Sequence, residues 1–306
     1  MTKVATIDET VQPTKNRRLF AFIIVTISYL IAGGAAFGIG FGLTGLMHPI
    51  WITLIADVGA TIVIFIFSVF FNNVSFYDPY WSIQPIAIVV YWLLLPQAAN
   101  ANPIRQAIII GVVSFWGIRL TLNWIRGWKG LKHEDWRYVK YREDRPKLFW
   151  FIAFTGLEMM PTLIVFLGCV ALYPGMVLSN SAINALDIIG LVIAVGATLI
   201  EFIADEQMKI FCQMNKDKNE VMSLGLWKYS RHPNYFGEVS FWWGVFFFAL
   251  AASLSWWWTI AGPLAMVVLF IFISIPLLEN KQIAKRPKYE LYRTKVSMFI
   301  PWFSKK

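Results

Sequence analysis

Ile183-Asn-Ala-Leu-Asp-Ile-Ile-Gly-Leu-Val-Ile-Ala-Val-Gly-Ala-Thr-Leu-Ile-Glu-Phe-Ile-Ala-Asp205 is almost continuously apolar, with carboxylates only toward its ends. A helix that crosses a bilayer needs about 20 mostly apolar residues, and this stretch supplies them. Seven other stretches read the same way, so the expected spans cover roughly residues 19–41, 50–71, 83–98, 104–125, 148–172, 183–206, 239–258 and 259–279. The third is short, and the last two touch with almost no loop. Of the 306 residues, 58% are hydrophobic and only 15% charged, against about 25% charged in soluble proteins. That balance excludes a disordered chain, a coiled coil and an ordinary soluble enzyme. The expected fold class is all-α: a polytopic transmembrane helical bundle of about eight spans, hence an integral multi-pass membrane protein. The expected organisation is a cytoplasmic tail over 1–18, one transmembrane domain over 19–279 and a basic cytoplasmic tail over 280–306. The first span follows a basic tail as a signal peptide does, but it is too long and lacks a cleavage site, so it reads as retained.

The cations give an orientation. Of the 27 Lys and Arg, 25 fall in the N-terminal tail and the segments 126–147, 207–238 and 280–306; Arg105 and Arg119 are the other two. With eight spans all 25 lie on one side, so the positive-inside rule puts both termini in the cytoplasm. The net charge of +9 is then mostly topology. Spread over four membrane-proximal segments, it does not read as a nucleic-acid surface. Cys169 and Cys212 cannot form a disulfide framework. His48, His133 and His232 share no ligand spacing, so no metal site is expected.

Ionisable groups inside apolar helices are costly unless paired or solvated, and so become candidates for function. Here they are Asp57, Arg119, Glu158, Asp187, Glu201, Asp205, Glu238 and Glu279. Five of them (Arg119, Glu201, Asp205, Glu238 and Glu279) lie toward the cytoplasmic ends of their spans, which suggests a polar cavity opening to that side. The densest stretch is Gly225-Leu-Trp-Lys-Tyr-Ser-Arg-His-Pro-Asn-Tyr-Phe-Gly-Glu238. Pro233 suits a first helical turn, and Arg231 and His232 would flank a helix N-terminus able to take a phosphate or carboxylate. Asn234 and Glu238, four residues apart, share a face, as do Glu201 and Asp205. The segment from Arg126 to Tyr138 alternates cations with aromatics and suits phosphates or lipid headgroups alike, as does the tail around Tyr289 and Tyr292. Phe76-Tyr-Asp78-Pro-Tyr80-Trp-Ser-Ile-Gln84 offers a carboxylate, hydroxyls and an amide at a membrane edge.

Glu201-xxx-Asp205-xx-Met208, the 225–238 stretch with Trp242-Trp-Gly244, Leu278-Glu279, Tyr289-xx-Tyr292, Tyr77-Asp-Pro-Tyr-Trp-Ser82 and Trp116-Gly-x-Arg119 together resemble the DUF1295 membrane proteins, over roughly residues 70–302. These group with the C-terminal domain of steroid 5-alpha-reductases. The Arg-His-Pro-x-Tyr core is shared with the isoprenylcysteine carboxyl methyltransferases, and the Glu201/Asp205 stretch favours the reductase branch. The resemblance implies NADPH-dependent reduction of a carbon–carbon double bond conjugated to a ketone in an apolar steroid-, sterol- or lipid-like substrate. It implies a cofactor site on Asp205, Asn234, Glu238 and Tyr292, with Glu201 where the steroid enzymes usually carry Asn; Arg231, His232, Tyr235 and Tyr289 complete the expected site. Candidate donors to the ketone oxygen are Tyr80, Asp78 and Glu158. Two alternatives stay open: an S-adenosylmethionine-dependent methyltransferase of the isoprenylcysteine type, and a non-catalytic lipid- or sterol-binding protein. The expected location is the bacterial inner membrane or the endoplasmic reticulum.

Overall fold

A computed structural model describes residues 15–215, 217 and 219–304. Most of the expected tail over 1–18, together with Lys216, Lys218, Lys305 and Lys306, lies outside the described residues. Among those described, every regular element is helical. Ten helices are used below: α1 Lys15–Gly42, α2 Pro49–Phe70, α3 Tyr80–Leu93, α4 Pro103–Gly127, α5 Trp136–Asp144, α6 Phe149–Leu178, α7 Ala185–Met214, α8 Pro233–Ala252, α9 Leu254–Lys285 and α10 Lys288–Lys295.

Seven of them (α1, α2, α4, α6, α7, α8 and α9) are long and apolar enough to cross a membrane, so the chain is an integral, multi-pass membrane protein. Their outward faces carry exposed Leu30, Phe70 and Val192, as a lipid-facing surface does. The third expected span differs. Residues 83–98 do not form a single long helix: α3 has 14 residues, contains Pro85, and gives way to a tight turn over Pro96–Asn100. At 1.5 Å per residue it reaches roughly 21 Å, short of a hydrocarbon core of about 30 Å. The seventh span begins at Pro233 rather than 239, because the polar residues Asn234 and Glu238 form its first turns.

The chain divides into two compact units, one of residues 1–84 and 120–162, the other of 85–119 and 163–306. In the first, α1 and α2 bury Ala21, Val25, Ala60 and Ile64 together with Phe76, Tyr77, Tyr80 and Trp128. The loop after α4 is fastened to the turn before α3. Asn73 Nδ2 donates to Leu131 O at 2.7 Å, Val74 N donates to Glu134 Oε1 at 2.9 Å, and Asp135 N donates to Ser75 Oγ at 3.0 Å.

In the second unit α7 and α8 pack at backbone distance. A Cβ placed on Gly244 would lie 2.7 Å from Ala194 N, and one on Gly237 would lie 2.7 Å from Ala197 O and 2.8 Å from Glu201 Cβ. Small residues permit such an approach where no hydrophobic force separates protein from lipid. The start of α7 is pinned by Arg105, which is fully buried: its Nε and Nη2 each donate to the Asp187 carboxylate at 2.8 Å. Asn184 and Asp187 also form a capping box there.

Candidate functional site

The expected site residues form three groups, each within one unit. The first is built on α4, α7 and α8 of the second unit. Gly237 lets α8 lie on Glu201, so the Glu201 and Glu238 carboxyls become neighbours. Arg119 reaches across from α4: its Nη1 is 2.7 Å from Glu201 Oε1, an ion pair by distance whose N–H is not aimed at the oxygen. Its Nη2 pairs with Asp205, and Asn234 Nδ2 donates to the other Asp205 oxygen at 3.2 Å. Both Glu238 oxygens are held by indoles, Trp116 Nε1 and Trp242 Nε1 donating at 3.0 Å each. Trp116 is itself stacked on Phe241, ring centres 4.6 Å apart. Three carboxyl groups thus surround one guanidinium, and the buried Glu201 Oε2 makes no hydrogen bond. Among the described residues no three His, Cys, Asp or Glu side chains converge as metal ligands do.

The second group gathers on Glu279 of α9. Arg231 Nε donates to Glu279 Oε1 at 2.7 Å, and its Nη1 donates to Arg293 O and Val296 O at 2.7 and 2.8 Å. The guanidinium expected to meet a phosphate is therefore satisfied by the protein itself. His232 Nε2 is 3.1 Å from the same Glu279 oxygen, and Tyr289 OH donates to it at 3.4 Å. Burial holds the His232 imidazole below its usual range, partly offset by Glu279. With Nε2–H turned to the carboxylate, the buried Nδ1 is an acceptor without a partner. The ring stacks on Tyr235, which rests on Phe270. Tyr292 OH donates to Trp227 O at 2.5 Å and to Ser230 O at 3.4 Å, holding the turn. The following segment runs alongside: Arg231 N donates to Ser297 O, Ser230 Oγ to Phe299 O and Trp302 N to Tyr229 O.

The third group lies in the first unit and divides the three expected donors. Tyr80 OH donates to Asp57 Oδ1 at 2.7 Å, and Gln84 Nε2 donates to Asp57 Oδ2. Asp78 instead accepts from Tyr138 OH at 2.7 Å. Burial, and then the charge of Asp135, push the Asp78 carboxyl up to about 6, against the pull of Arg137 and the Tyr138 bond. Glu158 is 0% exposed, and neither of its oxygens makes a hydrogen bond. Ser68 is close enough to act on it but outside hydrogen-bond geometry. Glu158 sits on a widened, π-helical stretch of α6, Ala153–Met159, a distortion frequent at functional sites.

The loop cations expected to grip phosphates are in part used by the loop. Arg142 pairs with Glu134 at 3.0 Å and lies 3.9 Å over the Phe149 ring, while Arg137 pairs with Asp135 at 2.7 Å. Among the residues that enter the sites but that the sequence reading left out of its site set are Arg119, Asp57, Glu279 and Gln84. The first three had a signal, a charge inside an apolar helix; Gln84 had only its place near Tyr80.

The family described as "Protein of unknown function (DUF1295)" matches residues 64–296, and the protein belongs to it. Uncharacterized protein C594.04c of Schizosaccharomyces pombe is 30% identical over 256 residues, which is 76% of this chain and 74% of the yeast protein. No solved structure matches.

Proposed function

We propose that the protein is a membrane-embedded, NADPH-dependent reductase of a carbon–carbon double bond conjugated to a ketone, acting on an apolar substrate. The observation that carries this reading is the buried Tyr80–Asp57 pair, Tyr80 OH to Oδ1 at 2.7 Å. Adding hydride to an enone builds negative charge on the ketone oxygen, and a positioned O–H donor there lowers the barrier. For Tyr80 to supply it, Asp57 takes its neutral form and donates to the phenol oxygen, which frees the phenol hydrogen for the ketone, while Gln84 steadies the other Asp57 oxygen. NADPH would supply the hydride when bound. The Arg119 group suits the ribose and carboxamide of such a cofactor. Glu201 Oε2 is a buried acceptor lacking a donor, Asp205 and Glu238 accept hydroxyls, and Asn234 offers an amide. His232 Nδ1 is a second acceptor in want of a donor. Arg231 shapes that turn through Glu279, so phosphate charge falls instead to exposed cations such as Arg293, 45% exposed on its side chain.

One observation favours a second reading. Three carboxyl groups against one guanidinium also suit the sulfonium of S-adenosylmethionine, as in a methyltransferase. Methyl transfer, however, has no use for the Tyr80–Asp57 donor.

Thermal unfolding of detergent-purified protein separates the readings, since a ligand that binds only the folded state must raise the transition. NADPH is expected to raise it, NADH less, and S-adenosylmethionine not at all. Asp205→Ala and Glu238→Ala should abolish the NADPH shift. Tyr80→Phe should keep the shift and lose NADPH oxidation with an apolar enone by about 10²–10⁴-fold. A shift with S-adenosylmethionine alone overturns the reductase in favour of the methyltransferase. No shift with either overturns both and leaves a lipid- or sterol-binding protein.

A further inference from the structure

Gln84 is tied to the Tyr80–Asp57 pair on one side and to α6 on the other. Tyr80 and Gln84 stand four residues apart on α3, so they share a face, and both reach the Asp57 carboxyl on α2. Gln84 is buried, and its Nε2 donates to Asp57 Oδ2 and, at 3.3 Å, to Thr162 O. Its Oε1 has no hydrogen-bond partner.

The two ends of an amide differ: the nitrogen has two hydrogens to give and the oxygen none. Which end lies where is read from the partners. Thr162 O is a backbone carbonyl and can only accept, so it must face the nitrogen. A turned amide would set Oε1 against it, acceptor against acceptor. With that end fixed, the nitrogen spends one hydrogen on Thr162 O and the other on Asp57 Oδ2. The stronger acceptor of a neutral carboxyl is its C=O oxygen, so an N–H aimed at Oδ2 favours Oδ2 as the C=O. The single hydrogen of neutral Asp57 then sits on Oδ1, 2.7 Å from the Tyr80 oxygen. The phenol hydrogen, released by Oδ1, has Asp57 O to rest on at 3.2 Å.

From this geometry we infer that Gln84 is a positioning residue: anchored on Thr162 O, it places the Asp57 hydrogen on the oxygen that faces Tyr80 and so keeps the phenol armed as a donor. The inference rests on the reductase reading. As hydride adds at the β carbon and the C=C π bond opens, the phenol hydrogen passes to the ketone oxygen and the Oδ1 hydrogen follows to the phenol. Asp57, 5% exposed, then regains one proton from water, and the enol becomes the ketone. Each double bond takes up one hydride, from NADPH, and one proton. With the hydrogen on Oδ2 instead, Oδ1 would claim the phenol hydrogen and the ketone would meet no donor. Gln84 itself does not touch substrate.

Infrared spectra of the full-length protein in detergent test the placement without any ligand. Subtracting the matching Asp57→Asn spectrum, in the wild type and in each variant, isolates the C=O stretch of a neutral Asp57 carboxyl. Gln84→Leu removes the N–H on that C=O and should raise the band further than Tyr80→Phe does. No band means an ionised Asp57, and a larger shift with Tyr80→Phe puts the hydrogen on Oδ2; either overturns the inference. With NADPH and an apolar 4-ene-3-ketone, Gln84→Leu should keep the NADPH thermal shift and KM while kcat falls about tenfold or more. In a Tyr80→Phe background the same change should cost nothing further, because Gln84 acts through the phenol. Losses that multiply assign Gln84 to packing and overturn the inference, as does a wild-type kcat in Gln84→Leu. Gln84→Met, unbranched, takes the same readings where Gln84→Leu does not fold. Absence of NADPH oxidation in the wild type overturns the reductase reading and the role of Gln84 in it, while the infrared band still reports where the hydrogen sits.

Discussion

The group around Tyr80 and the group around Arg119 are both polar, buried and set in apolar helices, yet they are built on opposite principles. Around Arg119 the polar atoms are tied mostly by ion pairs and fixed donors: one guanidinium reaches carboxylates on the same face of α7, and Asn234 and two indoles occupy further oxygens, with Glu201 Oε2 left over. Among the described residues no cation pairs with the group around Tyr80, and the contacts of Tyr77, Thr162 and Thr61 outnumber the hydrogens that could fill them. The first arrangement resists change, because moving any one charge strands another. The second permits change at little cost. Buried polarity alone therefore does not identify a reaction centre; what matters is whether its partners are saturated.

The largest expected effect follows from that difference. Arg119→Met strands Glu201 and Asp205, and breaking a buried pair on one side costs about 3–5 kcal/mol. Thermal unfolding in detergent should fall by roughly 10 °C; a loss of only a degree or two would show the carboxyls to be solvated. Next, Gly237→Val must displace Ala197 O and Glu201, at about 1–3 kcal/mol for overpacking. It should also weaken the NADPH shift, since it separates Glu201 from Glu238. Tyr80→Phe removes one donor from the buried Asp57 carboxyl, at about 1–3 kcal/mol, and should carry its larger consequence in turnover. A large stability loss there would erase the contrast between the two groups.

Asp78 gives a smaller, pH-dependent effect. Its folded carboxyl titrates near 6, above the ordinary aspartate value of about 3.9. The folded state then holds the proton more tightly than the unfolded chain does. The contribution to stability is complete below about pH 4, declines as pH rises to about 6, and is flat beyond. Asp78→Asn should remove that decline and raise stability at pH 7 by on the order of 1 kcal/mol, discounted for partial exposure. The groups facing it are Tyr138, Asp135, Arg137, Ser75 and Tyr77. A slope between pH 4 and 6 unchanged in the variant would assign the effect elsewhere.

The long helices were legible because hydropathy is a local property, summed along one segment. The i, i+4 faces of Glu201 with Asp205 and of Asn234 with Glu238 were legible for the same reason. Partner choice was not. Arg231 reads as a phosphate ligand beside a helix N-terminus until Glu279, 48 residues away, is seen to occupy it. Asp57 reads as an isolated liability until Tyr80, 23 residues on, donates to it. Such pairings depend on how helices are rotated and offset against each other, which no periodicity encodes. The length of α3 was half-legible: a short apolar run was visible, and the tight turn at Pro96–Asn100 that closes it was not.

The short α3 also makes the topology testable without any energetic effect. If it crosses the bilayer, cysteines introduced at Lys15 and Lys140 in a Cys212→Ser background should label from the same face. If it does not, they label from opposite faces, and the expectation that both termini are cytoplasmic fails with it.

The Arg-His-Pro turn finally bears on the timing of synthesis. Its guanidinium, the Arg231 amide and the Tyr229 carbonyl find their partners at residues 279, 293, 296, 297 and 302. While those residues are still inside the ribosome, α8 must enter the membrane with a bare cation at its mouth. The turn can close only after the chain has been made through residue 302. Stop codons or proteolytic cuts before that point should leave a protein that inserts normally yet is recognised by membrane quality-control proteases, a defect no inspection of α8 itself would reveal.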